Sequence, residues 1–157
     1  MSQLSRSDIA ILRQLQSDAS QSVAEIAEKV NLSPSSCWRR MHQMQESGII
    51  KQQVALLDPE ILGLDVVVFV MLSLVSQNGN ALSDFENAVA MFPEVVECYT
   101  MTGQNDYMLK VVTRSMRHYE SFVRQHLAQL DNIRDMHSHV AITRIKDSVA
   151  LPLETQL

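Results

Sequence analysis

Apolar residues recur at three- and four-residue spacing through the first third of the chain, then at alternate or consecutive positions beyond it. Ile9, Leu12 and Leu15 form one helical stripe after Ser7-Asp8, and Val23, Ile26, Ala27 and Val30 form another after Ser20-Gln21-Ser22. The second helix is predicted to stop at Asn31-Leu32-Ser33, because Asn31 tolerates the left-handed backbone that ends a helix. Ser33 then caps a third helix, with Pro34 in the first turn where its missing N–H costs nothing. Two helices joined so tightly make a helix-turn-helix.

From Ile49 the period changes. IIKQQVALLDPE reads as a strand running into a short structured hinge that ends near Gly63. Beyond it the expected order is strand 65–75, helix 81–92, strand 94–102, strand 106–113, helix 115–130 and strand 133–145. Leu82, Phe85, Val89 and Phe92 form one helical stripe; Met116, Tyr119, Val123, Leu127 and Leu130 form the other. The predicted class is α+β: a (winged) helix-turn-helix domain at 1–48, a hinge strand and linker at 49–63, and a ferredoxin-like βαββαβ domain at 64–157. In that topology both helices cover one sheet face. The first strand, VVVFVML, is nevertheless apolar on both sides, so its second face needs a cover: another subunit, or the hinge folded back.

Winding the third helix at about 100° per residue puts Cys37, Met41 and Met44 on one side as the packing stripe. Ser35, Ser36, Arg39, His42, Gln43 and Glu46 face outward. Trp38 and Arg40 fall on opposite flanks; Trp38 is expected to pack, and Arg40 to grip a phosphate or pair within the domain. Such a face suits a major groove, since Arg can bridge guanine O6/N7, Gln the adenine edge, and Ser a base or phosphate. The blander reading is the solvated face of a protein-interaction module.

Charge first argues against DNA. The chain carries 13 Lys+Arg against 18 Asp+Glu, a net −5. The imbalance is uneven, however: residues 1–53 are slightly basic, with six basic and five acidic residues, and the deficit lies entirely beyond them. Two modest recognition helices held at a fixed spacing by an acidic clamp would gain through effective concentration what neither has alone. MSQLSRSD has no apolar signal core, and the longest apolar run, Val66–Leu72, is far shorter than the ~20 residues of a membrane helix. No membrane partner and a cytoplasmic location are expected. Cys37 and Cys98 form no CxxC or disulfide framework and are both expected to be buried thiols. His137 and His139 share a strand face but lack a third ligand at recognisable spacing, so no metal, cofactor or catalytic residue is assigned. No nucleophilic triad, phosphate loop or carboxylate pair points to an enzyme.

SPSSCWRRMHQMQESGII, the hinge VALLDPEILGL, PEVVECYTMTGQNDYML and the ending IKDSVALPL together resemble the Lrp/AsnC (feast/famine) family of transcription regulators, over nearly the whole chain. The resemblance implies a homodimer that often assembles further, commonly to an octamer, with double-stranded DNA wrapped outside and a small amino-acid effector held between C-terminal domains. It assigns DNA contacts to Ser35, Ser36, Arg39, Arg40, His42 and Gln43. Asn31 replaces the glycine usual in the turn, and His42 a common basic residue. Thr102-Gly103-Gln104-Asn105-Asp106-Tyr107 alone reads as a hairpin turn. The family pattern GxxDY turns it into an effector loop: Thr100, Met101, Thr102, Gly103 and Tyr107 line it, Asp106 pairs with the effector's ammonium, and Ser138 and Val140 complete it from a neighbouring subunit. The alternative function is an oligomeric amino-acid-binding protein whose helix-turn-helix contacts protein.

Overall fold

The computed structural model describes residues 4–76 and 78–153, which fall into two compact units. The first holds the residues up to 56 together with those from 146 onward; the second holds 57–145. This differs from the division expected from the sequence, which kept the C-terminal end with the sheet.

Three helices build the first unit: α1 (Arg6–Ser17), α2 (Val23–Lys29) and α3 (Pro34–Glu46). Each starts on a serine. Ser5 caps α1, two residues before the Ser7-Asp8 expected: its Oγ accepts from the Asp8 N–H at 3.2 Å, while the Asp8 carboxylate accepts from the Ser5 N–H at 2.9 Å. Ser22 and Glu25 repeat this reciprocal box on α2, at 3.3 and 2.7 Å. Ser33 caps α3, and Pro34 sits in its first turn. Asn31 has φ 54°, so the turn closes through the left-handed residue expected, with the Leu32 N–H bonded to the Ala27 carbonyl at 2.9 Å. Ile11, Ile26, Ala27 and Cys37 are fully buried where the three helices meet.

After α3, Gly48 takes φ 75° and the Ile50 N–H closes on the Met44 carbonyl at 3.0 Å. The expected hinge strand does not form: residues 51–58 carry no strand pairing, and Val54, Leu56 and Leu57 are exposed. A strand needs a neighbour's N–H and C=O groups, and among the described residues none lies alongside. No β-hairpin wing follows α3 either. The C-terminal segment docks on this unit instead. Gln16 brackets Leu151, accepting its N–H at 2.7 Å and donating to its carbonyl at 3.3 Å, and Leu153 packs on the helical core.

The second unit contains β1 (Val66–Leu74), α4 (Gly79–Ala90), β2 (Val95–Thr100), β3 (Tyr107–Thr113), α5 (Met116–Gln125), a 3-10 turn at Leu127–Gln129 and β4 (Ile133–Val140). The βαββαβ order is the one expected, and the sheet runs β2-β3-β1-β4 with every pair antiparallel. Asn78 caps α4, accepting from the Ala81 N–H at 2.9 Å, so this helix starts two residues early. The last helix breaks at His126 rather than running to 130. Val68, Val70, Leu72 and Leu74 of β1 alternate into the helix-covered face, where they meet Phe85, Leu109, Val111 and Phe122. Val67, Phe69 and Met71 turn to the other face, beside Met108, Lys110, Val112, His137 and His139. No described element of this unit covers that face, and Val67, Phe69 and Met71 stay half-buried.

Candidate functional site

Capping fixes where α3 begins, and Cys37 and Met44, both buried, fix which way it is rolled. Ser35, Arg39, His42 and Gln43 are therefore exposed along one side, and Ser36 is half-exposed at the N-terminal end. Ser35 lies 3.2 Å, Oγ to Oγ, from the capping Ser33. His42 is engaged within the helix: its ring stacks on Trp38 with centroids 5.1 Å apart, and its Nδ1 lies 3.4 Å from a Glu46 carboxylate oxygen one turn on. Trp38, expected to pack inside, is 57% exposed. The core stripe of α3 is filled by small and flexible side chains, and the indole finds its partner on the helix surface.

Arg40 takes the domain-pairing role. Its guanidinium donates to Asp8 Oδ1 at 2.8 Å and to Ser5 Oγ at 3.1 Å, tying α3 to the cap of α1, while its Nε is buried without a partner. Burial alone would raise the Asp8 carboxyl, but the bonds from Ser5 and Arg40 hold it below the usual carboxylate value. Arg40 thus pairs within the domain, one of the two roles expected of it, and braces α3 against the start of α1. Arg39, Gln43 and Ser35 are left to face outward.

In the second unit Thr100, Met101, Thr102 and Gly103 are exposed at the end of β2, and Gly103 has φ 116°, a conformation that disfavours side chains. The loop is tied down at its far side. Asp106 Oδ2 accepts from the Leu74 N–H at 2.7 Å, where the β1–β4 register shifts, and the Asp106 N–H donates to the Leu72 carbonyl at 2.8 Å. Ser73 Oγ donates to the Gln104 carbonyl at 3.2 Å. Asp106 therefore has an anchoring job that sequence reasoning did not foresee. Tyr107 is 2% exposed, packs against Phe85 and donates its hydroxyl to Glu86 Oε1 at 2.8 Å. Burial, then Glu86, pushes that phenol well above its ordinary value. A cleft of about 260 Å³ opens between α4 and β2, lined by Glu86, Val89, Val95, Cys98, Thr100 and Tyr107.

Sequence reasoning missed Glu86. The signal available was its place on the polar flank of the α4 stripe, one residue after Phe85. Cys98, expected to be buried, is exposed on this edge strand. Ser138 and Val140 lie on β4, with β1 and β3 between them and β2, so one chain does not bring them to the loop. The Ser138 hydroxyl is hydrogen-bonded to that of Tyr119 on α5. Among the described residues no cluster of His, Cys, Asp and Glu could hold a metal ion, and no helix is long and apolar enough to cross a membrane.

Residues 4–51 match the model of a winged helix-turn-helix DNA-binding domain, and residues 67–151 that of the Lrp/AsnC ligand binding domain. The chain belongs to the Lrp/AsnC family. It is a DNA-binding transcriptional regulator, with a helix-turn-helix domain followed along the chain by a ligand-binding domain. Within the Lrp/AsnC family it is similar along its length to the transcriptional regulator AzlB of Bacillus subtilis, 36% identical with 96% of each chain covered. It is also similar to the DNA-binding transcriptional activator DecR of Escherichia coli, 32% identical over 96% of this chain and 99% of that one. Among solved structures, the transcriptional regulator NMB0573 of Neisseria meningitidis in its L-Met complex matches with a TM-score of 0.94 and 35% identity, covering 98% and 99% of the two chains. An AsnC family regulator from Agrobacterium tumefaciens matches with a TM-score of 0.94 and 42% identity, over 98% and 100%.

Proposed function

We propose that this regulator works as a homodimer or larger assembly in the cytoplasm, that Arg39, Gln43, Ser35 and Ser36 meet DNA, and that a small amino acid held at the Thr100–Asp106 loop changes how the assembly engages it. The observation that carries this reading is the loop itself, whose open side has exposed Thr100, Met101, Thr102 and Gly103 while its other side is bonded to β1 through Asp106 and Ser73. A loop held this way presents backbone N–H and C=O groups in a fixed arrangement, the kind of surface that receives an α-carboxylate and α-ammonium. Ser138 and Val140 would reach it from a second copy. The uncovered face with Val67, Phe69 and Met71 supports such a copy, because apolar residues at neighbouring positions on an open sheet face are costly in water. The L-Met complex of the 35% identical structure makes L-methionine the first effector to try.

The test is a thermal-unfolding screen of the standard amino acids, each far above its expected dissociation constant. A ligand at about 100 times its Kd adds about 2.7 kcal/mol of stability, so one or a few amino acids should raise Tm clearly while the rest do nothing. A flat result across the set would remove the amino-acid reading.

A further inference from the structure

We propose that the C-terminal segment Val149–Leu153 is a detachable strap of the DNA-binding unit, one that sets how firmly α3 is held. Its regulatory half rests on the function proposed above. The strap is tied to α1 by backbone as well as side chain. The Gln16 amide reads Leu151 in both directions, as a neighbouring strand would, at 2.7 and 3.3 Å. Leu153 then packs into the cluster that contains Cys37 and Met44, the two residues on which α3 is seated. The path from strap to reading helix therefore has two short routes inside one unit: directly through Leu153, and through α1, whose cap residues Ser5 and Asp8 hold Arg40 of α3.

The seating is incomplete, which is why the strap can leave. Val149 and Leu151 remain 63% and 70% exposed, and beside them a cavity of about 980 Å³ stays open along Leu12, Leu15, Ile50, Val54 and Leu153. A terminal segment with two apolar side chains this exposed opens at the low-stability end of the unit. The strap also follows the sheet in the chain: residues 141–148 separate Val149 from Val140, the last residue of β4, where Ser138 and Val140 are the proposed effector contacts.

The experiment compares the full chain with Gln16→Ala and Leu153→Ser. Hydrogen exchange at the Leu151 amide reads docking, and binding to a duplex selected by the unmutated protein reads its consequence, with and without saturating L-methionine. Both variants should speed exchange at Leu151 by about tenfold or more, leave protection in the sheet unchanged, and weaken DNA binding about three- to tenfold by loosening α3. Unchanged exchange at Leu151 in both variants overturns the docking, whatever the DNA does. Faster exchange with wild-type DNA affinity, and with an unaltered methionine response, overturns the control of α3 and leaves a packing contact only. If the unmutated protein selects no duplex or ignores methionine, the failure belongs to the proposed function, and the exchange data still decide the docking.

Discussion

Replacing Asp106 by Asn and by Ala separates two jobs of one carboxylate. The structure assigns it the Leu74 N–H, accepted by Oδ2 at 2.7 Å at the point where the β1–β4 register shifts. Asp106→Ala orphans that half-buried donor, at a cost of about 1–3 kcal/mol, which for a chain of this size lowers Tm by roughly 2–4 °C per kcal/mol. Asp106→Asn keeps an acceptor in place and loses only the charge. Because ionised bonds are roughly twice as strong as neutral ones, it should cost under about 1 kcal/mol. The effector's ammonium distinguishes the charge itself. If Asp106 also pairs with it, Asn loses a charged bond worth about 1.5–3 kcal/mol, or roughly 10- to 100-fold in affinity. Thermal unfolding and calorimetric titration with L-methionine, or with whichever amino acid the screen finds, measure the two effects separately. An Asn variant that binds the effector as tightly as the unmutated protein would refute the ammonium contact and leave Asp106 as the anchor of the loop.

Arg39→Ala should relax the choice of DNA sequence by about 1–3 kcal/mol without changing Tm, whereas Arg40→Ala should lower Tm by releasing Asp8 and Ser5; competition binding and calorimetry tell the two arginines apart. The depressed Asp8 carboxyl predicts a pH signature. A group held below its unfolded pKa of about 3.9 stabilises fully above that value and loses the contribution as pH falls through the folded one. The difference in stability between the unmutated protein and Asp8→Asn should be flat from pH 7 to about 4 and shrink below, as followed by thermal melts. Phe69→Asp puts a charge on the uncovered sheet face and should weaken assembly by at least about 10- to 100-fold, seen by ultracentrifugation, with a parallel loss of DNA affinity; an unchanged assembly would show that this face stays open.

What was legible in the sequence was local. Asn31, Ser33 and Pro34 act within a few residues of themselves, and each does in the structure what its chemistry dictates. The helical stripes and the alternation in β1 likewise report one element's own burial. The readings that failed needed a distant partner. Ser5 rather than Ser7 caps α1 because the capping box needs Asp8 three residues on, a spacing present in the chain but passed over. Arg40 meets Asp8 from 32 positions away, and Gln16 meets Leu151 across 135, so no pattern in either stretch announces the pair. IIKQQVALLDPE has strand composition without a strand's neighbour, and composition cannot supply one. GQNDY was read as turn or ligand loop, yet Asp106 is also the tether that holds the loop to β1, a third role visible only once the end of β1 is beside it.

Whether one chain both reads DNA sequence and answers to an amino acid is decided by anisotropy titration of two labelled duplexes, one selected by the protein and one scrambled, with and without the stabilising amino acid. Binding should be tighter to the selected duplex, should weaken with rising salt as phosphate contacts release counterions, and should shift about fivefold or more on adding the amino acid, equivalent to about 1 kcal/mol of coupling. Equal affinity for both duplexes, or an affinity that no amino acid moves, would contradict the proposed function.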